Sequence, residues 1–173
     1  MSVIRKLRRF KTDPQREALY QAERSLSSKP FFRAQMTHAQ ALRLIKRVRK
    51  QYALIPITLR TMSAELPTVD HGRMDVLYDG ETHELEKVTI SVNPERFARN
   101  PYLILHELAH VACDQHFGMD LPDHSREMIG ILIWLFDHYK LIPEDAFRLI
   151  LRRYKVRHKA FSESSPGAIK CLP

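Results

Sequence analysis

The sequence predicts an α+β fold, with helices at its N-terminal end, a three-stranded antiparallel meander in the middle, and a helix bearing His106-Glu107-Leu108-Ala109-His110 followed by further helices. Three observations lead there. Apolar residues recur with helical period on both sides of the chain's middle. Short β-branched segments of period two fill the middle itself. Clusters of turn residues separate those segments.

At the N-terminal end, Thr12 or Asp13 followed by Pro14 reads as a helix start, and Ser27-Ser28-Lys29-Pro30 breaks that helix after about Leu26. A second helix starts near Thr37. Ala41, Leu42, Ile45 and Val48 form its apolar stripe, and Arg43, Lys46, Arg47, Arg49 and Lys50 its wet face. Ile57 to Thr61, Met74 to Tyr78 and Val88 to Val92 read as strands, with turns at Asp70-His71-Gly72 and Asp79-Gly80-Glu81. Asn100 is a good N-cap and Pro101 a good first residue for the next helix, which ends between Cys113 and Gly118. A loop closed by Pro122 leads to an apolar helix over about Ser125 to Tyr139, and Pro143-Glu144-Asp145 opens a last helix through about Tyr154.

The 173 residues divide into a basic arm (1–12), one domain (13–158) and a flexible tail (159–173). Composition excludes several classes. No apolar run approaches the ~20 residues of a membrane helix, so no membrane partner is expected. The basic start lacks the apolar stretch of a secretory leader. Two cysteines, Cys113 and Cys171, make no disulfide framework, and both are expected reduced in a cytoplasmic protein. The net charge of +8, from 28 Lys+Arg against 20 Asp+Glu, raises nucleic acid as a weak, salt-sensitive partner. The basic stretches Arg5 to Arg9, Arg43 to Lys50 and Arg152 to Lys159 would carry it.

The chemistry lies in His106 to His110. Residues four apart on a helix point the same way, so both imidazoles can bind one Zn²⁺ at about 2.0–2.1 Å each. Glu107 projects beside them, placed to hold a proton rather than to ligate. A five-residue pattern also arises by chance. Here the helix has a cap and an apolar back of Ile104, Leu105, Leu108, Val111 and Ala112, while burying two histidines and a glutamate has no structural gain. A catalytic zinc site takes three protein ligands and keeps one position open. His124, His116 (six residues past His110, the metzincin spacing) and Glu127 compete for the third place.

At this helix, followed by His124-Ser125-Arg126-Glu127-Met128, the sequence resembles the SprT-like zincins, which pair HExxH with a later histidine in an HGxxF-like segment. Ser125 stands in place of the Gly and Met128 in place of the aromatic. The chain resembles still more a family of metallohydrolases of actinobacteria and their phages. That likeness runs through Asp13-Pro14-Gln15-Arg16-Glu17-Ala18-Leu19-Tyr20-Gln21-Ala22-Glu23, the HELAH helix and the His124 segment, roughly residues 13–155. The resemblance implies a zincin-like fold, with His106, His110 and His124 as zinc ligands and Glu107 as general base. It implies no particular substrate, although SprT-like relatives include proteases acting on proteins crosslinked to DNA.

Helix geometry also favours His124 over His116. If the helix continues, His116 lies about 9 Å along the axis from His110 and is rotated away from the ligand face. Metzincins turn the chain with a Gly three residues past the second His; here that residue is Cys113, and Gly118 is the expected stop. The expectation is therefore a zinc metallopeptidase acting on a protein or peptide, with a second oxyanion donor sought among Tyr139, Tyr154, Arg126 and His138. A zinc-containing nucleic-acid-binding protein and a metal-dependent amidohydrolase of a non-peptide substrate are the alternatives.

Overall fold

The structure is a computed structural model that describes residues 13–61, 72–78, 85–92, 100–118 and 121–161. The basic arm and residues 162–173, including Cys171, lie outside the described residues, as do the turns expected at 70–71 and 79–81. The elements run α1 (Arg16–Arg24), α2 (Pro30–Arg33), α3 (His38–Gln51), β1 (Ile57–Thr61), β2 (Gly72–Tyr78), β3 (Leu85–Val92), α4 (Pro101–Phe117), α5 (Arg126–His138) and α6 (Glu144–Arg153). This is a mixed α+β arrangement.

The helix starts follow capping chemistry. Thr37 and Gln40 close a capping box on α3. Asn100 accepts from the Tyr102 N–H ahead of Pro101, and Ser125 accepts from the Met128 N–H. The first helix departs from expectation. It begins two residues past Pro14, with Gln15 at the N-cap and no side-chain cap bond. Asp13 instead accepts from the Gln15 N–H through Oδ1 and turns its other oxygen elsewhere. On α3 the apolar stripe is Ala41, Ile45 and Val48, with Leu44 half-buried against it, whereas Leu42 is exposed.

The three strands do not form the expected antiparallel meander. Their order is β1-β3-β2, with β1 parallel to β3 (Ile57 opposite Val88) and β2 antiparallel to it (Gly72 opposite Val92). Side-chain burial explains the order. Val88, Ile90 and Val92 of β3 are all buried, while Leu59 alone is buried on β1. The most apolar strand takes the centre, where it is paired on both sides, and so it separates two strands that are neighbours in sequence. A parallel pair cannot be joined by a tight turn, and here β2 lies along the connection between β1 and β3.

Helix α4 is the axis of the core. Every residue from Tyr102 to Cys113 is buried, because α2, α3, α5 and the sheet all pack against this helix. Its histidine face is therefore covered, not open. The C-terminal segment completes the packing: Lys159 N donates to Arg126 O, and the Lys159 carbonyl passes so close to Gly130 that a Cβ there would stand 2.1 Å from it. Residues 159–161, assigned to the tail by sequence, thus lie against α5. No helix among the described residues is long and apolar enough to cross a membrane.

Candidate metal centre

His106 and His110 sit one turn apart on α4, and their Nε2 atoms are 3.2 Å from each other. Two zinc–nitrogen bonds of about 2.0–2.1 Å at a tetrahedral angle place their nitrogens about 3.3 Å apart, so the pair already has the spacing of two ligands of one ion. The third imidazole comes from His124, in the turn just before α5 rather than on the helix itself. The ligand atoms of all three lie within 4.8 Å of one another, and the residues are 5%, 7% and 4% exposed.

Two carboxylates from the N-terminal end hold this group. Glu23, on α1, lies 2.9 Å from His106 Nδ1. Asp13, just ahead of α1, lies 2.5 Å from His124 Nδ1. An ionised carboxylate only accepts, so each Nδ1 carries a proton, and in the neutral ring the lone pair is on Nε2. Burial pushes the Asp13 pKa up, but its hydrogen bond to His124, that ring's charge and the Gln15 N–H outweigh burial and hold it below the usual value. Burial pushes the His106 pKa down, yet the Glu23 charge and hydrogen bond, with Glu107, bring it above the ordinary 6.5. This carboxylate–histidine pairing is how proteins orient imidazoles toward a metal.

Whether a metal fits is tested by the atoms left over. His124 Nε2 is buried and has no hydrogen-bond partner. An orphaned buried acceptor costs about 1–3 kcal/mol. A cation shared with His106 and His110 removes that cost, and neutral nitrogens with borderline softness suit zinc. Gln15 fixes the approach of the third ring: its Nε2 donates to His124 O, and its Oε1 accepts from Arg157 N in the C-terminal segment.

The other expected residues fall as follows. Glu107 is 7% exposed and beside the histidines; the Tyr20 phenol is raised chiefly by burial, with smaller contributions from the Glu23 and Glu107 charges. His116 stays on α4, which runs on to Phe117 and ends at Gly118 with φ +74°. It is outside the three-histidine group, and burial pushes its pKa down. Glu127 faces Lys159 at 3.8 Å. Cys113 is a buried thiol 3.7 Å from Ser125 Oγ. Tyr139 donates to Gln51 and His138 stacks on Trp134, at the opposite end of α5 from His124 and about 20 Å along it.

Sequence reading missed four residues of the site: Asp13, Arg16, Tyr20 and Glu23. Tyr20 packs edge-on against His124, with ring centroids 5.3 Å apart, and the Arg16 guanidinium lies over the Tyr20 ring at 5.5 Å. A signal was present, since Arg16, Tyr20 and Glu23 share one face of a helix, with Asp13 one turn ahead, beside the core positions Leu19 and Ala22. No protein-family model matches the chain, and no curated protein or solved structure matches it.

Proposed function

We propose that the chain is a zinc-dependent hydrolase, a small metallopeptidase that cleaves a peptide bond with Glu107 as general base. The observation that carries this reading is the convergence of His106, His110 and the distant His124, with a buried carboxylate next to the first of them. A closed structural site needs no base beside it, and three ligands leave a fourth position open. The likeness of the HELAH and His124 segments to SprT-like zincins supports the same assignment.

When bound, zinc would supply Lewis acidity, bringing the pKa of a water toward neutrality and polarising a carbonyl. The chain's own residues do the rest. His106, His110 and His124 would hold the ion, with Glu23 and Asp13 fixing two of the rings. Glu107 takes a proton from the attacking water at a carboxylate oxygen and returns it to the leaving amine. Near-complete burial of the histidines excludes bulk water. An extended substrate suits the sheet. β2 contacts α4 and, among the described residues, has a paired neighbour on one side only, so its other edge can take a peptide by backbone hydrogen bonds.

The test pairs metal analysis with cleavage of a broad peptide library. Glu107→Gln is expected to retain zinc and lose hydrolysis. Unchanged cleavage removes Glu107 from the role of base, and loss of zinc makes it a ligand. A second reading, nucleic-acid binding, draws on α3. Its exposed Arg43, Lys46, Arg47 and Lys50 share a 14-residue helix with no acidic side chain. Binding to DNA should then fall steeply as salt rises, because it comes from phosphate neutralisation. Absence of binding at low salt leaves α3 as a solvated face.

A further inference from the structure

Helix α1 presents Arg16, Tyr20 and Glu23 at positions i, i+4 and i+7, with Asp13 one turn ahead. All four therefore face the same way. The two carboxylates are engaged by the rings of His106 and His124. Tyr20 and Arg16 lie between them. Tyr20 is half-buried with its ring edge-on to His124, and Arg16 is exposed. The pair thus marks the place where the buried centre meets solvent.

The local chemistry is that of a donor beside a cation. The Arg16 guanidinium lies over the Tyr20 ring, 5.5 Å from its centroid. A phenol can donate, and a neighbouring positive charge strengthens that donation. The Glu107 carboxylate is near enough to act on the same hydroxyl. Simple packing would need none of this, because a phenylalanine fills the same contact with His124.

We propose that Tyr20 is a catalytic residue whose hydroxyl donates a hydrogen bond to the substrate carbonyl oxygen as negative charge builds there, and that Arg16 is the residue that positions and polarises it. The assignment rests on the metallohydrolase reading and supplies the oxyanion donor which that reading requires. It places the donor on α1, before the strands, rather than on the helices that follow HELAH. The substrate class is thereby narrowed to carbonyl compounds that pass through an oxyanion, such as amides and peptides.

The test uses the full chain loaded with cobalt and titrated with acetohydroxamate, a small carbonyl-derived anion, with the visible spectrum as readout. Tyr20→Phe should take up cobalt with an unchanged spectrum and bind acetohydroxamate roughly tenfold more weakly, the loss of one charge-assisted hydrogen bond. Arg16→Gln should lose about threefold through the same hydroxyl. Tyr139→Phe, at the far end of α5, should match the parent. Equal acetohydroxamate affinity in Tyr20→Phe and the parent, with cobalt bound in both, overturns the assignment and leaves the metal centre standing. Failure of the parent to take up cobalt overturns the metal centre, and Tyr20 falls with it.

Discussion

Replacing Glu23 by Gln isolates what a carboxylate 83 positions away contributes to the metal centre. The amide keeps an oxygen that can accept from His106 Nδ1 at the same place, so shape and hydrogen bond survive while the charge is lost. The side chains of Glu23 and His106 are 11% and 7% exposed, so little solvent screens the interaction. A hydrogen bond to a charged group contributes about 1.5–3 kcal/mol and a neutral one about 0.5–1.5. The difference, roughly 1.4 kcal/mol, corresponds to about tenfold in zinc affinity. That agrees with the 10–100-fold range usual for outer partners of metal-bound histidines.

The effect should depend on pH, with a definite sign. Glu23 raises the His106 pKa above 6.5, so it favours a proton on that ring as well as a metal. At pH values above the raised pKa no proton competes, and Glu23→Gln should show its full loss. As pH falls through that pKa, the proton displaces zinc from the parent first. The variant, whose His106 pKa is lower, meets that competition only at lower pH, so the two affinity curves should converge in acid. Competitive zinc titration against a chelator at several pH values reads this directly. Equal affinities at alkaline pH, or a gap that widens in acid, would refute the reasoning.

Two further predictions follow from the same geometry. His124→Ala should abolish tight zinc binding while His116→Ala retains it, because only the first belongs to the three-histidine group; zinc stoichiometry after dialysis decides, and the reverse pattern would place the third ligand on α4. Gly130→Ala should destabilise the fold by roughly 1–3 kcal/mol, since its Cβ meets the Lys159 carbonyl at 2.1 Å and the backbone must move. Because Arg157 is tied through Gln15 to His124, it should also weaken zinc; thermal unfolding of the apo protein and a zinc titration separate the two effects, and an unchanged melting temperature defeats the first.

Much of this was legible in the sequence wherever the cause is local. The cap at Asn100, helix starts near Thr37 and Ser125, the stop at Gly118, and the extents of α4, α5 and α6 follow from residues within one or two turns of each boundary. Choosing His124 over His116 was local too, since it needed only the absence of a chain break after His110. The sheet order was not legible. Turn residues at 70–72 and 79–81 suggested two hairpins, but pairing is decided by which strand buries most, and that depends on the helices packed over Val88, Ile90 and Val92. A period-two pattern gives a strand's face and says nothing about its neighbour.

The site shows the same limit from the other side. HExxH is visible because both histidines and the glutamate lie within five residues, yet the contacts that set the proton positions on the rings span 83 and 111 positions. Asp13 reads from sequence as part of a helix start, and nothing local to Glu23 marks it as belonging to a site. Each is instead turned inward, where an unpaired carboxylate would be expensive and one facing an imidazole is not. That expense is the useful clue. A helix with Leu19 and Ala22 in the core cannot also bury Glu23 without a partner, and in this chain the acceptor-seeking groups are the histidines of α4 and of the turn before α5. The N-terminal segment is therefore as much a part of the three-histidine site as the motif that reveals it, and a fragment beginning after Glu23 would keep HELAH but lose the carboxylates that face His106 and His124.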